Sequence, residues 1–144
     1  MLHSHTRLWV HLIWATKNRQ RILFKDAGRP LYEHLLKKAA EGKIVFEQLN
    51  IQPEHIHGLI DLPPDKCLSD FVKSIKGESA HWINENKLIS GHFNWQRGYG
   101  AYSVSASQLK TVKSYIQNQT EHHKRKTFTE EYEEWKHEYG IFDD

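Results

Sequence analysis

Apolar and polar positions change period several times along the chain, and each change marks an expected element. Leu8-Trp9-Val10-His11-Leu12-Ile13-Trp14-Ala15-Thr16 is apolar on both faces and rich in β-formers, which predicts a strand in the middle of a sheet. Basic residues Lys17, Arg19 and Arg21 follow. Leu31, Leu35 and Ala39 then share one helical face, so a helix is expected to begin at Pro30, whose fixed φ suits a first turn, and to end at Gly42. Residues 44–51 predict a second strand and residues 55–62 a third. The break at Pro53 is short enough to make the two an antiparallel hairpin, and Pro63-Pro64 ends it.

Ser69 has the chemistry of an N-cap, and Leu68, Phe71, Val72, Ile75, Ser79, Trp82 and Ile83 recur at helical spacing, predicting a second helix to about residue 86. Residues 93–96 and 101–105 are short strand candidates on either side of the turn Arg97-Gly98-Tyr99-Gly100. Ser107 opens a third helix with Leu109, Val112 and Ile116 on its apolar stripe. Thr127-Phe128-Thr129-Glu130 matches a capping box, and Gly140 suits the end of a short acidic helix. The order β-α-β-β-α-β followed by helices predicts an α+β, ferredoxin-like antiparallel sheet with its first and third strands at the centre. Without repeats or a Gly/Ser linker, residues 1–144 are expected to form one domain, with 127–144 as an acidic C-terminal helix.

Charge adds what periodicity cannot show. The 144 residues carry 20 Lys plus Arg against 18 Asp plus Glu, a net +2. That near balance hides an asymmetry: residues 1–126 hold 19 basic and 11 acidic residues, and residues 127–144 hold 1 and 7. A basic body favours a polyanionic partner, and the interleaved Trp9, Trp14, Trp82, Trp95, Tyr99 and Tyr102 tilt that expectation toward single-stranded nucleic acid, whose bases stack on aromatics. The acidic tail is expected to pack away from the face that meets such a partner. A lone cysteine, Cys67, excludes an internal disulfide framework and suits a cytoplasmic setting. No apolar run approaches the ~20 residues of a membrane span, so a soluble protein without a membrane partner is expected.

Two segments carry candidate chemistry. His55 and His57 alternate with Ile56 on the third strand, so both imidazoles project from one face at a spacing that can grip one cation. On the third helix Tyr115, Gln119 and His122 stand at i, i+4 and i+7, placing a phenol, an amide and an imidazole on one stripe. Either pattern can arise without a function: a His-x-His pair occurs by chance among 11 histidines, and a tyrosine often borders an apolar stripe. Together they suit a partly filled site in which a hard divalent ion holds a phosphate oxygen. A phenol of pKa about 10 would need that cation, or a base, to become a useful nucleophile.

In these segments the chain resembles the single-tyrosine HUH transposases, the IS-two-hundred-like family that moves the smallest bacterial insertion sequences as single-stranded DNA. The resemblance rests on His55-Ile56-His57, on Lys76-Gly77 at the end of Phe71-Val72-Lys73-Ser74-Ile75-Lys76-Gly77, on the run from Trp95 to Ser105, and on Tyr115-Ile116-Gln117-Asn118-Gln119 followed by His122-His123. It implies that Tyr115 is the nucleophile, that His55, His57 and Gln119 bind Mg²⁺ or Mn²⁺, and that the chain forms a homodimer through its sheet. It further implies metal-assisted cleavage and rejoining of single-stranded DNA hairpin ends through a 5′-phosphotyrosine intermediate. Lys17, Arg19, Arg21, Lys73, Lys76, Arg97, Lys110 and Lys113 are the candidate DNA contacts, because the basic balance lies in their segments.

Other functions share parts of the pattern. A nickase or a domesticated endonuclease acting on chromosomal repeats would use the same residues. A non-enzymatic nucleic-acid-binding domain can have the same strand and helix order, with aromatics rather than histidines on its sheet face. A metal-dependent hydrolase would not need Tyr115.

Overall fold

The computed structural model describes residues 4–119 and 127–138. Strands β1 (Trp9–Ala15), β2 (Phe46–Ile51), β3 (His55–Asp61) and β4 (Gly100–Ser103) form one antiparallel sheet in the order β2-β3-β1-β4. The first and third strands occupy the centre, as the two-sided apolar pattern of β1 requires. β1 pairs with β3 so that Ile13 lies opposite His57 and Ala15 opposite His55, and with β4 so that His11 lies opposite Tyr102.

Alternation then divides the sheet into two chemically different faces. Leu12 and Trp14 of β1, Ile56 and Ile60 of β3, and Phe46 and Leu49 of β2 are buried under two helices, α1 (Lys25–Glu41) and α2 (Leu68–Glu85). Leu31, Leu35, Val72, Ile75 and Ile83 are the large buried side chains of those helices. Each such Leu or Ile contributes about 1.5–3 kcal/mol by leaving water, so this layer carries the core. Gly58 is needed here, because a Cβ at that position would lie 2.7 Å from a ring carbon of Phe46.

The opposite face is covered differently. Leu59 and Val104 pack against Val112 and Ile116 of α3 (Leu109–Gln117), with Trp9, Leu109 and Tyr115 alongside. Ile13, Ala15 and Tyr102 meet Tyr132 of α4 (Phe128–Glu138). Of the expected capping box the threonine half is present at the start of α4, with the Glu130 amide donating to Thr127 Oγ1 at 3.2 Å. His11, His55 and His57 lie on this face, each fully buried.

Several local expectations are corrected. Helix α1 begins at Lys25 rather than Pro30, because the Phe24 carbonyl already accepts from the Ala27 and Gly28 amides and Ala27 joins the buried face. Pro30 lies inside the helix, where its ring supplies no amide hydrogen. Helix α2 begins at Leu68, and Ser69 does not cap it; its hydroxyl lies 3.2 Å from Cys67 Sγ instead. Of the strand expected over 93–96 there is one isolated bridge, Thr16 to Trp95, because Trp95 turns its indole into the core and donates to Ser79 Oγ at 3.0 Å. The third helix opens with a 3₁₀ turn, Ala106–Gln108, before α3 proper.

Candidate active site

Strand alternation sets both histidines of β3 on the α3 and α4 face, and each ring is fixed from behind. His55 Nδ1 donates to Glu54 Oε1 at 2.8 Å, and Arg21 pairs with the other oxygen of Glu54 at 3.1 Å. Since a carboxylate only accepts, Nδ1 of His55 carries the proton and Nε2 is left with its lone pair. His57 Nδ1 lies 2.8 Å from Nε2 of His11, a second imidazole with no exposed surface. Burial holds the pKa of His11 well below the ordinary imidazole value, and neighbouring His57 lowers it further against the opposing pull of Glu131, so His11 is neutral.

The front of the pair faces a residue that sequence reasoning did not single out. Glu131 of α4 brings Oε1 to 2.7 Å from His57 Nε2 and 4.0 Å from His55 Nε2. The acidic tail therefore does not pack away from this face: one of its carboxylates is buried against the two histidines. The ligand atoms of His55, His57 and Glu131 all lie within 4.8 Å of one another, a group that could hold a metal ion. Two imidazole nitrogens and a carboxylate oxygen, oriented by Glu54 and His11, suit a divalent cation. As it stands, His57 donates Nε2–H to Glu131, a proton that a bound cation would replace.

Tyr115 on α3 stands over the pair, its ring centroid 5.7 Å from that of His57 and 6.4 Å from that of His11. Gln119 is not on the same helix. Helix α3 ends at Gln117, and Asn118 leaves helical geometry at φ −97°, ψ 25°. Gln119 nevertheless remains beside Tyr115, donating from Nε2 to the Tyr115 carbonyl at 3.2 Å. Its Oε1 is buried and accepts no hydrogen bond among the described residues. His122, expected on the same stripe, lies outside the described residues.

The basic candidates divide by location. Lys17 and Arg19 form an exposed 3₁₀ turn after β1, and Arg19 donates to Thr129 of α4. Arg97 is exposed on the turn before β4 and shares a cavity with Arg19. Arg21 is tied to Glu54, and Lys113 approaches Glu47 at 4.0 Å. Lys110 is exposed on α3, and Lys73 is exposed on α2, in the other helix layer. Lys76 turns inward, donating to the Gln96 carbonyl at 2.8 Å and the Gly98 carbonyl at 2.6 Å, and partial burial lowers its pKa. Among the aromatics, Trp14, Trp95 and Tyr102 are core residues and Tyr99 is exposed.

The four-stranded sheet thus carries a buried His-x-His pair on one face, with the helix that bears Tyr115 across it. The family described as "Transposase IS200 like" matches residues 4–119, and the chain belongs to that family, whose activity is DNA cleavage and rejoining in transposition. The chain is similar to the ISDra2 transposase TnpA of Deinococcus radiodurans, at 29% identity over 119 residues, 78% of this chain and 84% of that protein. It is 30% identical over 131 residues to the transposase for insertion sequence element IS200 of Salmonella typhimurium, covering 84% of each. Among solved structures, a candidate transposase from Deinococcus radiodurans superposes with a TM-score of 0.66 at 28% identity, over 83% of this chain and 95% of that one. A REP-associated tyrosine transposase bound to a REP hairpin shares the fold, with a TM-score of 0.62 at 18% identity over 85% of this chain and 74% of that one. No helix among the described residues is long and apolar enough to cross a membrane.

Proposed function

We propose that this chain cuts and rejoins single-stranded DNA at the hairpin ends of an insertion sequence, with Tyr115 as the nucleophile. The observation that carries the reading is the position of the Tyr115 ring beside His57 of its own chain, over a histidine pair turned toward a carboxylate. His55 and His57 would hold a divalent ion, Mg²⁺ or Mn²⁺, with Gln119 and Glu131 as further oxygen donors; the Oε1 of Gln119, which accepts no hydrogen bond among the described residues, supports that assignment. Such an ion, when bound, would supply Lewis-acid polarisation of the scissile phosphate.

The chain's residues do the rest. The Tyr115 oxygen bonds to phosphorus as the P–O3′ bond breaks; the phenolic proton is given up, and the departing oxygen is protonated to a 3′-hydroxyl. The resulting 5′-phosphotyrosine conserves bond energy, so attack by another 3′-hydroxyl rejoins strands without ATP. Arg19, Arg97, Lys17, Lys110 and Lys113 hold the DNA backbone near the site, while Lys73 is remote from it. A homodimer belongs to the same reading, since β2 and β4 are edge strands of the sheet.

The deciding experiment incubates the protein with single-stranded DNA carrying its element's hairpin ends and Mg²⁺ or Mn²⁺, followed by a denaturing gel. A covalent adduct is expected, absent in Tyr115→Phe, His55→Ala and His57→Ala variants that still fold. An adduct that persists in Tyr115→Phe would move the nucleophile elsewhere, and no adduct with the natural sequence would end the proposal.

A further inference from the structure

We infer that the cavity between β1, the Gln96–Gly100 turn and α4 is a pocket for one unstacked base of the DNA strand, next to the scissile phosphate. The inference rests on the proposed action of the chain on single-stranded DNA and adds a site for one nucleotide. The cavity has a volume of about 170 Å³ and is lined by Ile13, Ala15, Arg19, Arg97, Tyr99 and Tyr132, among others. That is room for a single planar ring system.

Its location follows from register. Ile13 and Ala15 point to the same sheet face as His11 and lie directly opposite His57 and His55. The floor of the cavity is therefore one strand spacing, about 4.8 Å, from the histidine pair. Helix α4 bridges the two places: Glu131 reaches the histidines, and the next residue, Tyr132, lines the cavity. A phosphate at the histidines would leave its attached nucleoside within reach of this cavity.

The lining fits a nucleotide better than an inorganic anion or an apolar ligand. Ile13 and Ala15 give the floor an apolar character, Tyr99 and Tyr132 add aromatic rings, and Tyr99 is 41% exposed. Arg19 and Arg97 place guanidinium groups at the same opening, suited to the flanking phosphates and to stacking.

The wall that carries Tyr99 is fixed in place. Lys76 donates to the carbonyls of Gln96 and Gly98, the Gln96 amide donates to the Ala15 carbonyl at 2.8 Å, and the Gln96 side chain accepts from the Asn18 amide at 2.9 Å. Gly98 takes φ +84°, a conformation that lets the turn bring Tyr99 to the opening. Lys76 thus acts as a positioning residue for the pocket, and a wall ordered before DNA arrives lowers the ordering cost of binding.

The test uses the full chain in a Tyr115→Phe background, so no cleavage occurs and the outcome does not depend on the nucleophile. Fluorescence anisotropy would compare a dT dodecamer with an abasic dodecamer of the same backbone. The chain should bind the dT strand more tightly. Adding Tyr99→Ala should weaken dT binding roughly 5- to 150-fold, the value of one stacked base, and leave abasic binding unchanged, while Tyr99→Phe should retain the preference. Equal weakening of both strands by Tyr99→Ala in a protein with unchanged thermal melting would reduce the site to a backbone contact and overturn the inference. So would the absence of any preference for the dT strand.

Discussion

His57 Nε2 and Glu131 Oε1 lie 2.7 Å apart although 74 residues separate them along the chain. Both side chains are buried, so removing one of them would leave the other polar group in the interior without this partner. It ties the last described helix to the centre of the sheet and sets a carboxylate oxygen beside the histidine pair.

If Glu131 is a metal donor, Glu131→Ala should weaken Mn²⁺ binding about tenfold or more in isothermal titration calorimetry, and Glu131→Asp should recover part of the loss. Tighter binding in Glu131→Ala would show that the carboxylate competes with the ion. Deleting 127–144 should reproduce the Glu131→Ala loss, beyond any gain in non-specific DNA affinity from removing acidic charge.

The histidine pair was legible in the sequence and its carboxylate was not, for a physical reason. A strand has a period of two, so His55-Ile56-His57 by itself states that the imidazoles share a face while Ile56 enters the core. Glu131 lies in a tail holding seven acidic residues, where local sequence makes every carboxylate equivalent and only tertiary packing selects one. The two-sided apolar run at β1 likewise disclosed a central strand. The end of α3 at Gln117 carries no Gly or Pro to announce it, and Lys76 read as one more cation because its carbonyl partners lie 20 and 22 residues away. The cap at Thr127 was legible because its hydrogen bond spans only three residues.

His11 should control the site from behind. It is the hydrogen-bond partner of His57 Nδ1, so His11→Leu removes the group that orients the ligand ring. Mn²⁺ affinity should fall about 10- to 100-fold, with partial recovery in His11→Gln, whose amide can still hydrogen-bond His57 Nδ1. Titration of the folded variants with Mn²⁺ reads this directly, and an unchanged affinity would make His11 a packing residue only.

Gly58 couples the core to the same site. A methyl group there meets the Phe46 ring at 2.7 Å, so Gly58→Ala must displace that ring or the strand. The expected cost is about 1–3 kcal/mol in urea unfolding. Because residue 58 follows His57 directly, a shifted strand should also weaken Mn²⁺ binding, whereas a shifted ring alone would spare it.

Lys76→Met should loosen the Gln96–Gly100 turn. Two hydrogen bonds from a charged donor are lost, and stability should fall by about 1–3 kcal/mol. Faster amide hydrogen exchange confined to residues 95–100 is the expected signature, and a uniform increase across the sheet would place the effect in the core instead.

The order in which the chain is synthesised gives the His57 to Glu131 contact a further meaning. The large core cluster under α1 and α2 draws on residues 10–101, none of them from α4. A product ended early by a frameshift or stop codon beyond α3 would keep every strand and both histidines and lose the carboxylate. Lesions in the codons that follow α3 would then weaken the ion site while leaving the four strands and the residues of the large core in place.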